Sequence, residues 1–107
     1  MLKKYWSMQM NLKIQQIKNK LKKYLNDNEV LDIILFGSFV KGKSLPEDID
    51  IAVISEKKKE IALDGFHVSL LTPKDFFVDP PSLINTLFRE GYSLKRNKTF
   101  SEVYKFE

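Results

Sequence analysis

The run Gly37-Ser38-Phe39-Val40-Lys41-Gly42-Lys43-Ser44, with Asp48-Ile49-Asp50 behind it, constrains this chain more than any other feature. It fits two ways of holding phosphate, and the two need different folds. As far as Ser44 it satisfies G-x-x-x-x-G-K-[ST], a glycine-rich cradle that opens a helix. From Gly37 to Asp50 it reads Gly-Ser, nine residues, then Asp-x-Asp, a tight turn followed by paired carboxylates.

The residues after Ser44 decide between them. The cradle works because its Lys-Ser end begins a long helix whose free N–H groups and positive dipole end face the phosphates. Here Leu45 and Pro46 intervene, and Asp48-Ile-Asp-Ile-Ala-Val-Ile54 then alternates and is rich in β-branched residues, which is the pattern of a strand. No long helix fits in between. A cradle-type domain also repeats its strand–helix unit several times, which 107 residues hardly allow. The Gly-Ser…Asp-x-Asp reading stands.

Composition sets the outer bounds. A chain of 107 residues with 43% hydrophobic and 30% charged content suits one globular domain spanning 1–107. The longest apolar runs, Ile33 to Phe36 and Ile51 to Ile54, are four residues each, far short of a membrane span. The basic N-terminus lacks an apolar core of signal-peptide length, so the cytosol is the expected location. Without cysteine there is no disulfide framework and no thiolate metal site, and the single histidine, His67, builds no His-rich site alone.

Periodicity orders the elements. Apolar residues at Met10, Ile14, Ile17, Leu21, Tyr24 and Leu25 predict a helix over about 8–26, ended by Asn26-Asp27-Asn28. From 30 onward comes a core of strands and helices. Val30 to Phe36 reads as a strand stopping at Gly37, followed by a helical turn from Ser38 to about Gly42 and a loop to Glu47. Asp48 to Ile54 is the second strand, and Asp64-Gly65 turns the chain into a third, Phe66 to Leu71. Asp79-Pro80-Pro81 opens a helix that Gly91 closes. Tyr92 to Lys95 reads as a last strand, and Thr99-x-x-Glu102 as a capping box for a terminal helical turn. The fold class is α/β in the α+β sense, a small mixed sheet with flanking helices.

Strand geometry gives the Asp pair its chemistry. Residues two apart share a face, so Asp48 and Asp50 project from one side of the second strand. Two carboxylates that close repel unless a cation lies between them. Mg²⁺ suits such a site, taking one or two carboxylates and completing its shell with water and phosphate oxygens. Glycine at 37 allows close approach of backbone to phosphate. Ser38 adds a hydroxyl and free N–H groups at the start of a helical turn. Lys41 and Lys43 are near enough in sequence to offset phosphate charge.

The run Leu35-Phe-Gly-Ser-Phe-Val-Lys-Gly with Asp48-Ile-Asp-Ile-Ala-Val resembles the minimal nucleotidyltransferases of the DNA polymerase beta superfamily, over about Val30 to Leu71. Their usual form is Gly-Ser-x-Ala-Arg-Gly, a short loop, then Ser-Asp-x-Asp. Val40 and Lys41 replace the Ala and Arg, and Glu47 replaces the Ser. The resemblance implies that Gly37, Ser38 and Lys41 hold a nucleoside triphosphate and that Asp48 and Asp50 bind Mg²⁺, two ions where the enzyme is active. It also implies a third carboxylate on the next strand, and that position falls at Ser69. Losing this acid leaves nucleotide binding intact and puts nucleotidyl transfer in question.

Charge opens a further reading. The net charge is +4, and the region before Asp27 holds Lys3, Lys4, Lys13, Lys18, Lys20, Lys22 and Lys23 with no acid. Such a face suits a nucleic-acid backbone or an acidic protein, or is simply solvated opposite the apolar stripe. That stripe either packs internally or forms a homo-oligomer interface. Three functions follow. The first is Mg²⁺-dependent transfer of a nucleoside monophosphate to a hydroxyl on a partner. The second is an antitoxin paired with a small helical HEPN-type protein, as the resemblance implies, working by modification or by binding alone. The third is nucleic-acid binding through the Lys-rich helix. The first two combined, a minimal nucleotidyltransferase serving as antitoxin, are the expectation.

Overall fold

Met8–Lys20 forms helix α1, and after a break at Leu21 a short α2 covers Lys22–Leu25. Strand β1 follows at Val30–Phe36, β2 at Ile49–Ser55 and β3 at Phe66–Leu71. Helix α3 is Pro81–Glu90; β4 (Tyr92–Ser93), β5 (Lys98–Thr99) and α4 (Phe100–Val103) complete the order. These come from a computed structural model that describes residues 8–37, 48–57, 60–75 and 81–104. Ser38, Lys41, Lys43 and Ser44, the helical turn expected from Ser38, and the side chain of Met10 lie outside the described residues.

The strands make one mixed sheet in the order β3-β2-β1-β4-β5. β1 lies at its centre, antiparallel to both β2 and β4, while β2 and β3 run parallel. A helix layer covers each face. On one face Ile14, Ile17 and Leu21 pack on Val30, Ile33, Leu35, Ile51, Val53 and Leu94. On the other, Leu87 of α3 and Phe100 of α4 pack on Ile34, Phe36, Ala52, Ile54 and Leu71. With both faces covered, β1 and β2 need near-continuous apolar sequence, which Ile33-Ile-Leu-Phe36 and Ile51-Ala-Val-Ile54 supply. The stripe of the first helix therefore faces its own sheet.

Several expected boundaries move. The helix predicted over 8–26 is broken at Leu21, and β2 starts at Ile49, one residue past Asp48. That start leaves no length for a long helix after Ser44. The last strand, expected over Tyr92 to Lys95, is cut to Tyr92–Ser93 because the chain turns through Lys95–Asn97, with Asn97 left-handed at φ 57°, and returns as β5. The capping box at Thr99 is present in both directions: Thr99 Oγ1 accepts from the Glu102 N–H, and Glu102 Oε1 accepts from the Thr99 N–H.

Candidate functional site

Gly37 ends β1, and its backbone has φ +80°, a conformation that costs an L-residue with a side chain about 1–2 kcal/mol. Space is the stricter demand. A Cβ at Gly37 would stand 2.9 Å from Asp50 Cγ, and closer still to Asp50 Oδ2. The missing side chain is thus the room in which the Asp50 carboxylate sits. The register agrees, because Phe36 pairs with Asp50 across β1 and β2. The bare step after the apolar strand and the second aspartate are one packing unit.

Two more side chains converge there. Glu90, the last residue of α3, accepts the Gly37 N–H at Oε2, 2.7 Å away. His67 Nδ1 lies 3.2 Å from Asp50 Oδ1, with the histidine side chain 69% exposed and that of Asp50 28%. Gly91 brings α3 close enough for the Glu90 contact: a Cβ there would meet Ile34 Cγ2 at 2.8 Å, so only glycine lets the helix end press onto β1. Of these two partners, His67 is legible in the sequence, since alternation puts it on the face of Ser69, and Glu90 is not. Glu90 is an ordinary glutamate at a helix end until the fold seats it against the β1 exit.

The position where the resemblance implies a third carboxylate holds Ser69. Ser69 shares the face of Asp50, but in the parallel β2–β3 register it lies level with Ala52, and His67 is the residue level with Asp50. Alternation along a strand fixes which face a side chain takes, not which neighbour it meets. β3 therefore offers a histidine beside the pair and no acid.

Asp48 and Asp50 occupy alternate positions at the start of β2, Asp48 exposed and Asp50 partly so. Hard oxygen donors of this kind, open to solvent on one side, fit an ion that keeps waters and takes its remaining ligands from phosphate. Among the described residues no group of three or more His, Cys, Asp or Glu side chains is placed to hold a metal by itself. The pair fits Mg²⁺ only as half of a site that a nucleotide completes.

The polymerase beta nucleotidyltransferase family matches residues 19–72, from late in α1 through β3. The chain belongs to this family. Within a nucleotidyltransferase fold, the Gly37 step and the Asp48/Asp50 strand lie side by side at one end of the sheet, where the matched segment places them. Among solved structures, a chain from the tri-AMPylated Shewanella oneidensis HEPN toxin in complex with MNT antitoxin is similar at 22% identity. That match covers 78% of this chain and 70% of the other, with a TM-score of 0.45. No curated protein matches. Among the described residues, no helix is long and apolar enough to cross a membrane.

Proposed function

We propose that this nucleotidyltransferase binds a nucleoside triphosphate with Mg²⁺ at Asp48 and Asp50 and serves as the antitoxin half of a pair with a HEPN-type protein. The observation that carries the nucleotide reading is the fit of the Asp50 carboxylate into the space left by Gly37, in a chain of this family. That fit fixes the second carboxylate at the strand start, while Asp48, two residues earlier, stays open to solvent. Gly37, Ser38 and Lys41 then serve the triphosphate. The Gly37 N–H is already held by Glu90, so Gly37 contributes room. The HEPN-type partner and a cytosolic setting follow the resemblance of the motif run.

When bound, Mg²⁺ neutralises phosphate charge and polarises the reacting phosphoryl group. In transfer, the oxygen of an acceptor hydroxyl bonds to the α-phosphorus, the bond to the bridging oxygen of the β-phosphate breaks, and pyrophosphate leaves. The hydroxyl proton goes to a base. His67, set against Asp50 and largely exposed, is the group on β3 able to take it. With Ser69 in place of an acid on that strand, the site binds nucleotide and transfers slowly. A second reading, an antitoxin that works by binding alone, is favoured by the same substitution.

The test is the melting temperature with ATP and Mg²⁺. At ten times its dissociation constant a ligand stabilises by about 1.4 kcal/mol, a rise of several degrees for a domain this size. Asp48→Asn/Asp50→Asn is expected to abolish that rise and the need for Mg²⁺. A shift that survives the double substitution sinks the assignment of the pair.

A further inference from the structure

Along the β4–β5 edge of the sheet, the structure joins two basic segments that are far apart in sequence. The β4–β5 turn carries Lys95, Arg96 and Lys98, and it is tied to the N-terminal helices at two points. Lys18 of α1 donates to Asn97 Oδ1 at the crown of the turn. Lys95 Nζ donates to the carbonyls of Asp27 and Val30, where the helical segment gives way to β1. The lysine helix and the C-terminal turn therefore form one surface. Lys22 opens α2 just past the break at Leu21, and Lys22, Arg96 and Lys98 are all exposed.

That surface contains a cavity of about 530 Å³ lined by Lys95, Arg96, Lys98, Glu102, Val103 and Tyr104. Its charges are unequal. Glu102, the acid in the wall, is engaged in the capping box by the Thr99 N–H and hydroxyl. Asp32 lies fully buried near the wall, where Ser93 and Tyr104 donate to it at 2.8 and 2.7 Å. Arg96 Nε stands 3.9 Å from the Asp32 carboxylate and the guanidinium bonds the Tyr104 hydroxyl, while its side chain stays 55% exposed. The five donors of the fork outnumber these contacts, so its exposed side is open to a ligand. Arginine beside lysines in a polar hollow is suited to phosphate oxygens.

We propose that this cavity and its rim, Lys18 and Lys22 on one side and Arg96 and Lys98 on the other, bind the phosphodiester backbone of a single-stranded nucleic acid. The cations are spread over the N-terminal helices and the β4–β5 turn, which suits successive phosphates along a strand better than one free phosphate. The site is separate from the carboxylate pair. Lys98 pairs with Ser93, which pairs with Ile34, so it lies three residues before Gly37 along β1 and two strands to the side, roughly 14 Å at about 3.3 Å per residue and about 4.8 Å per strand; Asp50, one strand further over, is roughly 16 Å away. The inference does not depend on nucleotidyl transfer.

Fluorescence anisotropy of a labelled oligouridylate on the full chain tests it, with Arg96→Gln/Lys98→Gln against Lys57→Gln/Lys74→Gln, an equal loss of charge elsewhere. The first pair is expected to weaken binding about tenfold, and to flatten the slope of log K against log salt by about 1.4, about 0.7 per single-strand phosphate contact. Lys22→Gln/Lys98→Gln, which leaves the surroundings of Asp32 intact, should show the same trend. Asp48→Asn/Asp50→Asn should bind oligouridylate as wild type does, so the two sites fail or succeed separately. Equal losses in the control pair overturn the proposal. So does a cavity that is stabilised by tripolyphosphate, or occupied by polyglutamate, while oligouridylate binding ignores Arg96 and Lys98.

Discussion

Glu90 does work at the β1 exit that a helix-terminal glutamate seldom has. Its carboxylate accepts the N–H of a glycine whose φ of +80° already departs from the strand, and the same glycine borders the Asp50 carboxylate. Holding that peptide holds the space for Asp50. Removing the acceptor leaves a partly buried N–H unsatisfied, which costs about 1–3 kcal/mol. Glu90→Ala is therefore expected to destabilise by about that amount in urea unfolding, and Glu90→Gln, which keeps a carbonyl acceptor, by less than half of it. Equal losses in the two variants would mean that the negative charge, and not the hydrogen bond, holds the turn. Gly37 was legible in the sequence as the end of an apolar strand before a turn. Its dependence on Glu90 was not, because 53 residues separate the two and nothing local marks the contact.

Asp32 ties elements together where Glu90 ties residues. It is a lone acid inside Val-Leu-Asp-Ile-Ile-Leu-Phe, and it is fully buried on the face of β1 that carries Ile34 and Phe36. Ser93 of β4 and Tyr104, at the end of α4, both donate to it, so one carboxylate joins the central strand, its short neighbour and the last helix. A buried carboxylate is tolerated only when its lone pairs are occupied. Burial first, and then the bond to Asp32 and its charge, push the Tyr104 hydroxyl well above the ordinary tyrosine value of 10.0, with Arg96 partly offsetting this. A raised folded value means the contribution is fully present below pH 10 and is lost as pH climbs through the folded value. Tyr104→Phe is expected to lower stability by about 2 kcal/mol at neutral pH and to flatten the alkaline decline above about pH 10 in a pH series of unfolding curves. Tyr92, raised by burial and then by Glu102, leaves some of that decline in place. An unchanged alkaline slope would remove Tyr104 as its source. Reading the sequence found β1, β2 and β3 because their apolar runs and turn signals are local. It missed β5, since two residues carry no alternation to read, and it missed the level of His67 because register between parallel strands is settled by the whole sheet.

At the scale of the molecule, β1 separates two sites of opposite character. Asp50 and Glu90 meet Gly37 at the exit of β1, and Lys95, Arg96, Lys98 and Lys18 gather along the β4–β5 edge, from the level of Val30 to that of Ile34. Whether these sites sense each other is a question of screening. At about 0.15 M salt the Debye length is about 8 Å, half of the roughly 16 Å between Lys98 and Asp50, whereas at about 0.01 M it is about 30 Å. Two cations acting at that distance on a Mg²⁺–ATP complex of about −2 contribute ~0.6 kcal/mol at the lower salt and ~0.1 at the higher. Arg96→Gln/Lys98→Gln should therefore leave Mg²⁺–ATP affinity nearly unchanged near physiological salt and weaken it about threefold at low salt, as titration calorimetry at the two ionic strengths would read. A loss of nucleotide affinity that persists at high salt would show a contact the separation does not allow, and would place the basic turn within the nucleotide site. Additivity at physiological salt would instead establish a small sheet with a cation-holding edge and an anion-holding edge, each free to take its own ligand.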